Sequence, residues 1–190
     1  MYFVTRAWEM LVSSTQRKTR KHKPALAGGS SFEVAAAMEK WMDWELAHST
    51  LYPPLKKLHD NVVRLPEPER DTGVIISSAT AFANALKIVE AQLEKTLYLA
   101  GNDFSMADIP VGTFVNRWKV ALARAQEAYG DKLNFSSVPS TPAIDAWHAR
   151  LLGEPSFAAG CDVPERLHAS MAVTGELPQW LKAYNEKYNL

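Results

Sequence analysis

The 190-residue sequence predicts an all-α fold, a bundle of amphipathic helices. Apolar side chains recur at steps of three and four residues through most of the chain, which is the spacing of a buried helix face. No alternating run of β-branched residues is long enough to predict a strand, and the nearest one, GVIISS at 73–78, fits a helix better. With 47% hydrophobic and 22% charged residues, the chain has the composition of a globular domain with a core.

Turn residues divide the helical pattern into segments. The first should end before the Pro53-Pro54 pair, because two prolines remove two amide donors and restrict the residue before them. The next segment is expected to continue the first helix beyond a kink. A central helix should start at Ser105 and reach Tyr129, with Gly130 as its stop. The predicted helices cover residues 32–52, 54–65, 74–98, 105–129, 140–155 with Thr141 as cap, and 177–188.

Charge separates the first 30 residues from the rest. Residues 1–30 contain six Lys or Arg and one Glu, a net charge of +5, so the other 15 bases and 20 acids give residues 31–190 a net charge of −5. We therefore predict a basic N-terminal segment or linker at 1–30 and a helical domain at 31–190. The run RKTRKHK at 17–23 suits a solvated tail best, with a phosphate-binding patch or part of a targeting segment as alternatives.

The sequence disfavours several classes of site and partner. The five histidines lack the spacing of metal ligands, so no metal site is predicted. A single cysteine, Cys161, rules out a disulfide within the chain and suits a reducing compartment, so cytoplasm is the expected location. No apolar run approaches the ~20 residues that span a bilayer. The zero net charge and the lack of a nucleic-acid-binding motif argue against a nucleic-acid partner.

The segment GNDFSMADIP at 101–110 has the features of a strongly capped helix start. If Ser105 is the N-cap, its hydroxyl can accept from the Asp108 amide while the Asp108 carboxylate accepts from the Ser105 amide, which forms a capping box. Phe104 and Ile109 bracket the pair and can form a hydrophobic staple. The apolar residues that follow predict a buried central helix, whose bare amides would have no water to bind.

This segment is one of three stretches of the sequence that resemble the same protein family. LYLAGNDFSMADIPVGTFVNRW at 97–118 resembles the start of the central helix of the glutathione S-transferase C-terminal domain, where the same box and staple occur. MEKWMDWELAHSTLYPPL at 38–55 resembles the first helix of that domain, with its W-x-x-W pattern. TPAIDAWHARLLGEPSFAAG at 141–160 resembles a later helix. Three motifs in the family's order indicate membership over roughly residues 31–160.

The resemblance also implies a domain that the sequence pattern does not show. Glutathione transferases carry an N-terminal thioredoxin-like domain that lowers the pKa of the glutathione thiol, whose ordinary value is about 8.5. Residues 1–30 contain no βαβ pattern and no proline before Pro24. No catalytic residue and no certain cofactor is therefore predicted, and glutathione is expected to bind only if a thioredoxin-like partner domain is supplied.

The resemblance further implies an apolar wall for a hydrophobic small molecule. The matching positions lie on the first and the central helix: Trp41, Trp44, His48, Tyr52, Arg117 and Trp118. Aromatic residues at helical spacing are more often core, and this alternative holds above all for Trp41 and Trp118.

Two functional hypotheses follow. In the first, the chain is a glutathione S-transferase-like protein that keeps the substrate-binding helical half, dimerises through its first two helices, and has weak or absent conjugating activity alone. In the second, it is a non-enzymatic module of the same fold that binds a protein or a ligand.

Overall fold

A computed structural model describes residues 32–46 and 50–161, and these residues are helical with short connections. No named strand occurs among them, and Tyr98 and Gly101 form an isolated β-bridge. The all-α prediction is thus confirmed. The helices are α1 (Phe32–Leu46), α2 (Tyr52–His59), α3 (Thr72–Ala85), α4 (Lys87–Leu93), α5 (Asp108–Tyr129) and α6 (Pro142–Leu152). Short 3-10 turns occupy Glu67–Glu69, Gly130–Lys132 and Phe135–Ser137.

The prolines after α1 lie at the start of a helix, α2, and residues 47–49, where the predicted kink would join α1 to it, lie outside the described residues. Pro53 and Pro54 lie in the first turn of α2, where amides have no acceptor within the helix, so their missing N–H groups cost nothing. The end of α2 widens into a π-helix, Asp60–Arg64, closed by the Leu65 amide on the Asp60 carbonyl oxygen at 2.9 Å.

The predicted helix at 74–98 is two helices, α3 and α4, whose axes differ by 46°. The bend is at Leu86, where ψ is −2° instead of the helical value. Leu86 is fully buried, and neither glycine nor proline marks the position in the sequence.

The helix α5 lies at the centre of the packing. Its buried residues recur at three- and four-residue steps, and α1, α2 and α3 all pack against it. α2 also packs on α3. The helix ends as predicted, at Tyr129, because Gly130 takes the left-handed φ of 53°.

The chain divides into two compact units, residues 1–149 and 150–190. The contacts among α1, α2, α3 and α5 all lie within the first unit. The structure describes residues 150–161 of the second: the end of α6 and a further helical stretch at 155–161. The predicted basic segment at 1–30 and the predicted helix at 177–188 lie outside the described residues, so both stay predictions, as does the domain boundary at residue 30.

Candidate functional site

Asp108, the first residue of α5, is the centre of a buried hydrogen-bond network. The residue is fully buried, and its carboxylate accepts four hydrogen bonds. Oδ1 accepts from the Leu99 amide and from the Trp147 indole, both at 2.9 Å. Oδ2 accepts from the Ser105 amide at 2.9 Å and from the Ser105 hydroxyl at 3.0 Å. One carboxylate therefore joins the loop before α5, the start of α5 and the middle of α6.

This geometry contains one of the two hydrogen bonds expected between Ser105 and Asp108. The carboxylate accepts from the Ser105 amide, as the sequence suggested, but the Ser105 hydroxyl does not accept from the Asp108 amide. The hydroxyl accepts from the Ala107 amide at 3.3 Å, and the Asp108 amide donates to the Ser105 carbonyl oxygen at 3.2 Å. The physical reason is the position of the helix start: the N-cap is Ala107, so Ser105 lies two residues before it.

Backbone and ring contacts shape the loop that leads to α5. The Tyr98 amide donates to the Gly101 carbonyl oxygen at 2.8 Å and the Gly101 amide donates back at 3.2 Å. The turn requires the positive φ of 147° that Gly101 adopts at low cost. The Phe104 ring lies against Tyr98, with ring centroids 6.1 Å apart. The staple contact between Phe104 and Ile109 stays a prediction.

The electrostatics of Asp108 indicate a structural role. Burial raises the pKa of Asp108, because removal from water disfavours the charged carboxylate. The hydrogen bonds from the Leu99 and Ser105 amides, the Trp147 indole and the Ser105 hydroxyl act in the opposite direction. A carboxylate with four donors and no exposed surface holds chain segments together and offers nothing to a substrate.

A second carboxylate binds the start of α6. Glu90 of α4 accepts from the Ala143 amide through Oε1 at 2.8 Å and from the Ile144 amide through Oε2 at 2.9 Å. Thr141 is at the cap position that the sequence predicted, since its carbonyl oxygen accepts from the Asp145 amide at 2.8 Å. The first-turn amides, however, are satisfied by a residue more than fifty positions earlier in the chain.

His148 links α6 to α5. Its Nε2 lies 3.1 Å from Oδ1 of Asn116, and beside it the Lys119 ammonium pairs with the Asp145 carboxylate. Burial lowers the pKa of His148 to about 4, with a further lowering by Lys119 and a smaller opposing effect of Asp145. The imidazole is therefore neutral at pH 7, and its Nε2–H donates to the Asn116 oxygen.

The tryptophans of α1 contact each other. Trp41 is 2% exposed and Trp44 is half-buried. Their ring centroids are 5.5 Å apart and their planes are nearly perpendicular, at 82°, which is a favourable edge-to-face arrangement. The Lys40 ammonium lies 5.2 Å from the centre of the Trp41 ring. Trp44 is thus the member of the pair with surface left for a ligand.

Trp118 of α5 lies in a different environment. It is 3% exposed, and its ring packs on the buried Phe82 with centroids 5.6 Å apart. The Lys119 ammonium lies 5.5 Å from the ring centre. The buried indole N–H of Trp118 has no hydrogen-bond acceptor among the described residues, in contrast to that of Trp147.

Of the three remaining candidate residues, the structure describes two. Tyr52 is half-buried as the first residue of α2, and Arg117 is half-buried on α5. His48 lies outside the described residues. The structure therefore brings Trp41 and Trp44 together and sets Trp118 on a helix that packs against theirs.

Metal clusters and membrane-spanning helices are two further features that a functional site could involve. Within 32–46 and 50–161, no group of three or more His, Cys, Asp or Glu side chains could hold a metal ion. In this part of the chain no single helix is long and apolar enough to cross a membrane, and α3 and α4 reach the required length and composition only when both are counted.

Comparison with known proteins identifies the fold. The family model named 'Glutathione S-transferase, C-terminal domain' matches residues 67–150 of this sequence. Glutathione S-transferase 4 of Zea mays is 30% identical over 139 residues, which are 72% of this chain and 56% of that protein. The crystal structure of the theta class glutathione S-transferase from Xanthomonas axonopodis pv. citri, with glutathione bound, is 31% identical with a TM-score of 0.58. The alignment of the two structures covers 75% of this chain and 67% of the Xanthomonas chain. The chain belongs to the glutathione S-transferase superfamily.

The glutathione S-transferase match includes α3, α4, α5 and most of α6, and with them Asp108 and Trp147. A further relative, glutathione S-transferase GstB of Escherichia coli, is 33% identical over 88 residues, 46% of this chain and 41% of that protein. The chain spans about half the length of the curated relatives it matches. The resemblance found in the sequence is confirmed, whereas activity and substrate are not determined by a match of this extent.

Sequence reasoning missed the distant partners of three side chains, the buried Asp108 and His148 and the half-buried Glu90. It did not pair Asp108 with Trp147, Glu90 with the start of α6, or His148 with Asn116. These partners are 39, more than 50 and 32 residues apart in sequence. No local spacing rule connects residues so distant, so only the packing of α6 on its neighbours could reveal them.

Proposed function

We propose that this chain is a glutathione S-transferase-like protein whose helical half binds a hydrophobic small molecule. The observation that carries the proposal is the arrangement of aromatic side chains on α1 and α5, two helices that pack together in a glutathione S-transferase fold. Trp44 contributes partly exposed aromatic surface beside the buried Trp41. Tyr52, Arg117 and His48 are proposed to border the same surface.

Trp118 is the proposed polar element, and because its indole N–H is buried in the structure, a ligand oxygen is proposed to reach it when the side chains that cover the ring move aside. A buried indole N–H without an acceptor costs about 1–3 kcal/mol, and a ligand oxygen that accepts its hydrogen bond recovers that cost. Apolar walls with a few well-placed polar groups are the usual composition of ligand sites. The proposed ligand is therefore an apolar, preferably aromatic molecule that carries at least one acceptor oxygen.

Conjugation of glutathione is proposed to be weak or absent in this chain alone. A thiol with a pKa near 8.5 is mostly protonated at neutral pH, and an active transferase needs groups that stabilise the thiolate. Asp108 and Glu90 accept hydrogen bonds from amides of the fold, and a carboxylate, itself an acceptor, does not stabilise a thiolate. The proposal includes a reducing, cytoplasmic location, in keeping with the single cysteine.

The test separates ligand binding from conjugation. The purified chain is titrated with anilinonaphthalene sulfonate, an apolar aromatic probe with acceptor oxygens, and is assayed for conjugation of glutathione to a chloronitrobenzene. We expect saturable probe binding with little or no conjugation. Trp44→Leu should weaken the probe about fivefold, since the lost aromatic contact is worth about 1 kcal/mol.

Phe32→Leu is the matched control, because Phe32 is 86% exposed at the start of the same helix and should not affect binding. Equal probe affinities for the two variants would reject the aromatic surface as the site. Ready turnover of glutathione would reject the proposed lack of conjugation. If the chain shows neither probe binding nor turnover, the non-enzymatic interaction module is the better interpretation.

A homodimer is the proposed assembly. The exposed positions of α3 include Ser77, Ala81 and Asn84, which recur at helical spacing and carry short side chains. Short side chains let a second copy approach closely, so this face of α3 is proposed to take part in the contact through the first two predicted helices, the one that starts at Phe32 and the one at 74–98.

A further inference from the structure

We draw no further inference here: the strongest candidate, the buried indole N–H of Trp118 on α5, which has no hydrogen-bond acceptor among the described residues, belongs to the ligand surface already proposed.

Discussion

At the scale of single residues, Asp108 stands out because its carboxylate accepts four hydrogen bonds. Its removal leaves the Leu99 amide and the Trp147 indole without the acceptor that they share. Buried donors that lose their partner are among the few causes of large single-residue destabilisation. Ser105, by contrast, supplies two of the four donors, and one of these is a backbone amide that no substitution removes.

We therefore predict that Asp108→Ala destabilises the protein more than Ser105→Ala. The expected losses in the free energy of unfolding are about 3–5 kcal/mol for Asp108→Ala, as for other broken buried networks, and about 1–2 kcal/mol for Ser105→Ala. Urea unfolding followed by circular dichroism measures both. Asp103→Ala in the same loop is the control, because Asp103 is exposed. If Asp108→Ala unfolded at the same urea concentration as this control, the network would not contribute to stability.

His148 gives the stability of the protein a specific pH dependence. Its pKa is lowered from 6.5 to about 4 in the folded state, so the unfolded chain binds a proton in a pH range where the folded chain does not. The stabilisation is complete above pH 6.5 and is lost as the pH falls to about 4. At about 1.4 kcal/mol per pKa unit, the loss is on the order of 3 kcal/mol.

The variant His148→Gln should remove this dependence. We expect the parent to lose on the order of 3 kcal/mol more than the variant between about pH 7 and pH 4, by denaturant titration at each pH. The raised pKa of Asp108 acts in the opposite direction, but it is present in both proteins and cancels in the difference. Parallel profiles of unfolding free energy against pH for the two proteins would contradict the lowered pKa of His148.

At the scale of elements, α6 depends on residues from two other helices. Glu90 of α4 binds its first amides, and Asp108 of α5 holds Trp147 in its middle. Negative charge at a helix N-terminus is favourable because it faces the positive end of the helix dipole. Two carboxylates from outside α6 therefore accept hydrogen bonds from it and hold it in place.

Glu90→Ala is expected to lower the free energy of unfolding by about 1–2 kcal/mol, the cost of a lost helix cap. The local effect should be faster hydrogen exchange at the Ala143 and Ile144 amides, measured by nuclear magnetic resonance. Glu94→Ala provides the comparison, since Glu94 is exposed near the end of the same helix. Similar exchange at both amides in the two variants would show that Glu90 does not protect them.

The bend between α3 and α4 shows what an element-level pattern misses. Apolar residues keep their three- and four-residue spacing through Leu86, so the sequence predicts one helix. The angle arises from one backbone dihedral at a buried leucine. Apolar periodicity reports which face is buried and carries no information on a local change of axis.

At the scale of the whole molecule, the proposed dimer makes a direct prediction. Light scattering should give twice the chain mass of 21.2 kDa. Ala81→Arg places a long charged side chain on the exposed face of α3 and should yield a monomer. Gln126→Arg, which adds the same side chain at an exposed site of α5, should leave the dimer intact. A monomeric parent, or a dimer that both variants retain, would rule out this contact.

Much of the architecture could be predicted from sequence because it depends on local chemistry. Helical periodicity indicated the all-α fold, Gly130 marked the end of α5, and three motifs in order indicated the glutathione S-transferase family. The candidate aromatic positions came from that likeness as well. Burial of Trp41 and Trp118, and the partial exposure of Trp44, could not be read from spacing alone.

The sequence by itself determined that the described part of the chain is helical and to which family the chain belongs, since both depend on side chains close together along the chain. Tertiary structure alone decided that Asp108 accepts a hydrogen bond from the Trp147 indole. It likewise decided that the first amides of α6 donate to the Glu90 carboxylate and not to the Thr141 side chain. It also decided that the Trp118 N–H finds no acceptor among the described residues. The physical reason is that a buried polar group must find its partner wherever the folded chain brings one, and that distance in space is unrelated to distance in sequence.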